Sequence, residues 1–207
     1  MSKISYAILT HNEGEYVEQL LNFLVINKRV CDEIIVVDDF SSDTRTLDIL
    51  KHFALTNDIH IYQHALNGNF SAQKNFLSSK CSGDYIFQID ADEMVSTDFI
   101  DFLPDLLDQN PDNEVYLVPR INIVDGLTDD HVKKWGWNVN EKGYVNFPDF
   151  QWRIYKNNPS IKWVNIVHEK LTGFTTYAFL PAEEEYCLFH RKCITRQEMQ
   201  NEFYDKL

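Results

Sequence analysis

Strand-sized apolar runs alternate with amphipathic stretches through the first half of the chain, and most of them break off in a polar or acidic cluster. Ile4-Ser5-Tyr6-Ala7-Ile8-Leu9 leads into Thr10-His11-Asn12, and Glu33-Ile34-Ile35-Val36-Val37 leads into Asp38-Asp39. Tyr85-Ile86-Phe87-Gln88-Ile89 runs into Asp90-Ala91-Asp92-Glu93, and a shorter run, Ile59-His60-Ile61-Tyr62, lies between. This alternation reads as βαβ units on a parallel sheet. Helices are predicted through Tyr16, Leu20, Phe23 and Leu24, capped by Asn12, and past Leu47, Leu50 and Phe53. A third is predicted from the loop Asn67-Gly68-Asn69 through Phe70 and Phe76-Leu77. Open α/β sheets bind ligands outside the carboxyl ends of their strands, so the three clusters are expected at one edge.

Beyond Pro111 the alternation fails. Val115 to Val118 reads as a strand, followed by about thirty residues rich in Trp, Asn, Asp and Gly with no clear period, an expected insertion or flap. Gln151 to Lys156 and Ile161 to Val164 read as paired strands joined by the turn Asn157-Asn158-Pro159-Ser160. Glu183-Glu184-Glu185 reads as a solvated loop, and Thr195-Arg196-Gln197-Glu198 opens a terminal helix. No repeat or linker divides the 207 residues, so one domain is expected over 1–207.

Composition removes whole classes of function. At 44% hydrophobic and 25% charged residues the chain is neither disordered nor fibrous. With 19 Lys+Arg against 32 Asp+Glu, the formal charge of −13 makes nucleic acid an unfavourable partner. No run approaches the roughly 20 residues of a membrane span, and no secretory signal is visible, so a cytoplasmic address is expected. Cys31, Cys81, Cys187 and Cys193 form no CxxC pair and are expected to be reduced and mostly buried.

Asp90-Ala91-Asp92 carries the sharpest chemistry. Two carboxylates one residue apart beyond a buried strand can hold Mn²⁺ or Mg²⁺ whose other positions go to phosphate oxygens and water; equally, acidic residues can simply solvate a strand exit. Asp38 and Asp39 can accept hydrogen bonds from a ribose hydroxyl or a pyrimidine N–H, or serve the turn before a helix capped by Ser42 or Asp43.

The order Ile8-Leu9-Thr10-His11-Asn12-Glu13, Ile34 to Asp43, Asn69-Phe70-Ser71-Ala72-Gln73-Lys74-Asn75 and Gly83 to Glu93 resembles the GT-A glycosyltransferases of family 2. Within them it is most similar to the small transferases grouped with lipopolysaccharide-core β-glucosyltransferases. The resemblance is strong over residues 4 to 100. It continues weakly through Pro148 to Ile154, Val167-His168-Glu169 and Leu188-Phe189-His190.

The resemblance implies an α/β GT-A (nucleotide-diphospho-sugar transferase) fold with a mostly parallel central sheet flanked by helices. It further implies an inverting transfer of a sugar from a nucleotide-diphosphate donor, a UDP-sugar favoured, to a hydroxyl of a glycan, glycolipid or glycoprotein acceptor. Residues 1–110 would form the nucleotide-binding half and 111–207 the acceptor-binding half. By the family's motifs, Leu9, Thr10 and Asp39, with Asp38 nearby, would hold the base, and Lys74 would lie near the nucleotide. Asp90-Ala91-Asp92 would meet ribose and metal, with Asp90, Asp92 and His190 as the metal set. Asp149 would be the catalytic base, with Glu169 its rival; partial burial raising the base's pKa would help it. Arg153 and Arg191 could pair with phosphate, and Trp137 could stack on the acceptor. The sequence departs from the pattern at Leu9, His11 and Phe40, the last standing where Gly is frequent.

Competing readings are a phosphohydrolase with an aspartyl nucleophile, a nucleotidyltransferase, and a non-catalytic carbohydrate- or nucleotide-binding protein of this fold. The first strand ends without an aspartate, against the first. The loop after it is acidic rather than Gly- and Lys-rich, against the second. Release of free nucleotide diphosphate from a nucleotide-sugar separates an enzyme from the third.

Overall fold

The predicted parallel half forms as read. In the computed structural model, which describes residues 1–57 and 59–204, β1 (Ile4–Thr10), β2 (Glu33–Asp38), β3 (Ile59–Gln63) and β4 (Tyr85–Asp90) lie in the order β3-β2-β1-β4, all parallel. Period-two alternation divides β1 between two cores. Ile4, Tyr6 and Ile8 pack with Leu20 and Leu24 of α1 (Gly14–Asn27), Leu50 and Phe53 of α2 (Thr44–Thr56), and Phe99 and Leu103 of α4 (Thr97–Gln109). Ala7 faces the other way, toward Leu77 of α3 (Phe70–Ser78) and Trp163. Gly83 is required by the approach of the turn before β4 to β1: a Cβ there would stand 2.7 Å from the Ser5 backbone nitrogen.

Helix entry differs from the reading at α1. Asn12 does not cap it; Glu13 stands at the N-cap and makes no side-chain cap bond. Asn12 has φ +53°, and its Oδ1 accepts the backbone N–H groups of Ser42 (2.8 Å) and Asp43 (2.9 Å). One asparagine thus ties the β1–α1 turn to the β2–α2 turn, a use that sequence spacing does not distinguish from a cap. Asp43 caps α2 and Asn69 caps α3, as the turn chemistry suggests.

Phe40, half exposed, sits at φ +47°, where glycine would rest without a steric penalty. Left-handed backbone costs an L-residue about 1–2 kcal/mol, and glycine's own entropy returns about 0.5–1 kcal/mol of that. Phe40→Gly is therefore expected to stabilise the fold by about 0.5–1 kcal/mol, read as a higher urea midpoint with an unchanged slope.

The second half corrects the reading. The strand beginning at Val115 does not stop at Val118: β6 spans Val115–Asp125 and pairs antiparallel with β7 (Val145–Lys156), with α5 (Asp129–Trp135) between them. Among the described residues of this segment there is no long structureless flap. The strand signal fades because the outer half of β6 alternates Arg120 and Asn122 with Ile121 and Ile123, its polar side facing a cavity instead of a core. Nor does the segment around Ile161 pair with β7, both of whose edges are taken by β4 and β6. Instead β8 (Lys162–Val164) pairs with β9 (Lys170–Thr172) as a separate hairpin. The sheet is completed by β10 (Tyr177–Phe179) and β11 (Leu188–Cys193), both parallel to β6, and by β5 (Glu93–Met94), antiparallel to β11. The Glu183 region forms a short 3₁₀ turn, and α6 (Ile194–Tyr204) ends the described chain. Cys31 and Cys193 are exposed and only Cys187 is fully buried, so "mostly buried" does not describe these thiols. Among the described residues no helix is long and apolar enough to cross a membrane.

Candidate active site

Strand register decides what meets at the carboxyl edge. Thr10 lies beside Asp38, and Leu9 beside both Val37 and Asp90. A cavity of about 1040 Å³ opens there. Its wall includes Leu9, Thr10, Asp39 and Lys74 from the first half and all of Asp90-Ala91-Asp92. From the second half come Asp149, Glu169, His190, Arg153 and Trp137.

Two predicted residues are not brought there. Asp38 is buried, its carboxylate accepting the Ser41 backbone N–H and hydroxyl and, at 3.4 Å, the Gln63 amide. It is the turn residue of the alternative reading and lies behind Asp39. Arg191 is exposed and paired with Asp125 at 2.7 and 2.8 Å, away from the cavity. Asp39, by contrast, lines the wall, its Oδ1 fixed by the Leu66 backbone N–H at 2.8 Å.

The acidic triplet owes its surroundings to cross-strand neighbours. β5 pairs with β11 so that Glu93 lies opposite His190, β11 with β6 so that His190 lies opposite Asn122, and β6 with β7 so that Arg120 lies opposite Asp149. A bulge in β7, where Tyr116 pairs with Ile154 but Leu117 with Trp152, leaves Arg153 as the extra residue. Arg153 is buried and reaches Asp90 at 2.5 Å and the fully buried Glu93 at 2.7 Å, while Arg120 also binds Glu93 at 3.1 Å. Desolvation works against the charge on Asp90, but Arg153 and then Lys74 hold it below the usual carboxylate range.

Asp92 is turned the other way. Its Oδ2 lies 3.2 Å from His190 Nε2 and 3.0 Å from Arg196 Nη2. Burial alone would raise its pKa; the hydrogen bond and charge of His190, with Arg196, hold it well below the usual range. His190 Nδ1 lies 2.8 Å from Asn122 Oδ1, an oxygen that can only accept, so Nδ1 carries a proton. That leaves Nε2 turned toward the Asp92 carboxylate.

The predicted metal set is therefore not assembled as a trio. Asp92 and His190 converge, whereas Asp90 is engaged by Arg153, and no group of three His, Cys, Asp or Glu side chains among the described residues forms a ready cage. One carboxylate and one imidazole, beside a large cavity, could hold a borderline divalent ion such as Mn²⁺ that completes its shell with phosphate oxygens and water.

Asp149 is held from all sides. Its Oδ2 accepts from Arg120 (Nε 2.9 Å, Nη2 2.7 Å) and Asn122 (2.9 Å), and its Oδ1 from Gln151 (2.6 Å). Burial alone would raise its pKa in the direction that helps a base, but Arg120, Asn122 and Gln151 outweigh burial and hold it below the usual range. Asn122 thus joins Asp149 to His190, one amide group to each. Glu169, on the β8–β9 loop, pairs with Lys74 at 3.2 Å, and that ammonium stands 4.4 Å from the Trp163 ring centre.

Sequence reasoning passed over Glu13, Arg120, Asn122, Lys192 and Arg196, all on the cavity wall. Burial, and then the charge of Asp92, raise the pKa of Glu13. Lys192 is buried, and desolvation pushes it down to about 8. The polar alternation of Arg120 and Asn122 between isoleucines was a readable signal, and Glu13 closes the first family motif; Lys192 and Arg196 had none short of the fold.

Residues 5–175 match the sequence profile of Glycosyl transferase family 2. The chain belongs to this family. It is 35% identical over 101 residues to the uncharacterized glycosyltransferase RP128 of Rickettsia prowazekii, covering 49% of this chain and 32% of the relative. Abequosyltransferase RfbV of Salmonella typhimurium is 28% identical over 120 residues, 56% of this chain and 35% of the relative. The matches thus span about a third of the length of these curated relatives. Among solved structures, S. aureus TarS 1-349 superposes with a TM-score of 0.64 over 91% of this chain and 60% of its own, at 16% identity. Its complex with UDP gives 0.52 over 61% and 37%, at 22% identity. The architecture is the GT-A fold, mixed α/β with the central sheet between helices.

Proposed function

We propose that this family 2 domain is an inverting glycosyltransferase that moves a sugar from a nucleotide-diphosphate donor, a UDP-sugar, to a hydroxyl of a glycan, glycolipid or glycoprotein acceptor. One observation supports the reading above others: strand-end residues suited to a base, the acidic triplet and a tethered carboxylate open onto the same cavity. Leu9, Thr10 and Asp39 take the base, and Lys74 lies toward the nucleotide. Residues 1–110 hold the donor, and 111–207 shape the acceptor side with Trp137 as a stacking face.

Asp92 and His190 would hold Mn²⁺ or Mg²⁺, with Asp90 beside them toward the ribose. Such an ion supplies charge stabilisation to the departing diphosphate. Asp149 accepts the proton of the acceptor hydroxyl as that oxygen attacks the anomeric carbon from the face opposite the leaving group. A base held at low pKa is ionised throughout the neutral range. Arg120→Met leaves burial acting on Asp149 with less compensation, so the acid limb of the pH profile of kcat/KM is expected to move upward from its wild-type position. An unmoved limb would detach that limb from Asp149.

Incubation with UDP-sugars and Mn²⁺, followed by NMR of the product's anomeric proton, tests the whole reading. Free UDP together with inverted configuration is expected. Tight binding without turnover would leave a nucleotide-binding protein, and retained configuration would remove the single-displacement role of Asp149.

A further inference from the structure

The geometry points to Arg196 as a diphosphate-binding residue held in reserve on Asp92, an inference that rests on the donor site proposed above. Arg196 lies on α6, half-buried, with its guanidinium carbon 4.5 Å from the Tyr16 ring centre. Its Nη2 donates to Asp92 Oδ2 at 3.0 Å and to Glu13 Oε1 at 2.9 Å. The Asp92 oxygen it occupies is the same one that faces His190 Nε2.

That oxygen is the one Asp92 would offer to the cation. A guanidinium donating to that oxygen at hydrogen-bond distance would then stand against a like charge, so cation and Arg196 compete for Asp92. Glu13 remains as a tether, so the displaced guanidinium turns on a fixed partner and stays on the cavity wall. The ligand that arrives with the cation carries phosphate oxygens. A planar fork of N–H donors matches these bidentately, which an ammonium does not. Arg196 would thereby pass from balancing Asp92 to balancing the diphosphate when the donor binds.

Two binding measurements on the full chain test this. Mn²⁺ alone is followed by the loss of the free-ion EPR signal, and UDP in saturating Mn²⁺ by calorimetry. Arg196→Ala is expected to bind Mn²⁺ at least about threefold more tightly, because its competitor is gone, and UDP at least about tenfold more weakly. Arg196→Lys should fall between it and wild type for UDP. Arg191→Ala, which removes a surface arginine from the neighbouring strand, should change neither. Arg196→Gln carries the same test if the alanine variant melts early. A Mn²⁺ affinity that is unchanged or weaker, or a UDP affinity reduced by less than about threefold, overturns the proposal and leaves Arg196 a structural partner of Asp92. Wild-type protein that binds no UDP with Mn²⁺ would instead remove the donor site itself.

Discussion

Replacing Asp149 with Asn is expected to lower kcat for sugar transfer by about 10²–10⁴-fold, the range over which a positioned general base contributes, while binding of UDP with Mn²⁺ stays at its wild-type value. The substitution is close to isosteric, and the network can absorb it. The amide oxygen can keep the Arg120 and Asn122 donors, and the amide N–H can meet Gln151, whose own amide can flip to accept. What is lost is proton affinity and the charge opposite Arg120. A fall in kcat without a change in donor affinity marks an interaction made in the transition state. Glu169→Gln, assayed in parallel, separates the rivals. Because Glu169 pairs with Lys74, its loss is expected to act on donor affinity. If Glu169→Gln gave the collapse in kcat and Asp149→Asn did not, the base would be Glu169.

Asp92→Ala has the larger expected effect: transfer falls by about 10³-fold or more, the several kcal/mol that charge stabilisation of a leaving diphosphate provides. UDP binding should also lose its response to Mn²⁺. Removal of Asp92 leaves His190 with Asn122 and Arg196 with Glu13, so each keeps a partner in the fold. The stability cost follows from the sign of the shift. A carboxylate whose folded pKa is depressed contributes stability at neutral pH that is lost as the pH falls through that value. The variant should therefore melt lower than wild type at neutral pH, and the gap should close in acid. Retained transfer would place the charge stabilisation elsewhere on the cavity wall.

The parallel half was legible because β1, β2 and β4 are buried on both faces and read as near-continuous apolar runs, such as Ile34-Ile35-Val36-Val37, even with the buried Ser5 and Gln88 within them. Their polar exits then fall at one edge by topology alone. The second half was not legible for the opposite reason. The outer part of β6 serves a wet cavity on one side, so Arg120 and Asn122 interrupt the pattern that marks a strand. Asn12 misled because an N-cap and a turn-to-turn staple ask for the same side chain. Asp38 and Asp39 are neighbours in sequence, yet Asp38 closes β2 and turns back to Ser41, whereas Asp39 stands just past the strand on the cavity wall. Arg196 lies 104 positions from Asp92, and no local spacing announces such a contact.

A crystal soaked with UDP and MnCl₂, with the anomalous signal of manganese mapped, tests the central claim most directly. The expected result is a manganese peak between Asp92 Oδ2 and His190 Nε2, the diphosphate against it, and the uracil ring beside Leu9, Thr10 and Asp39. Nucleotide bound away from that edge, or manganese absent from Asp92 while UDP is present, would contradict the account.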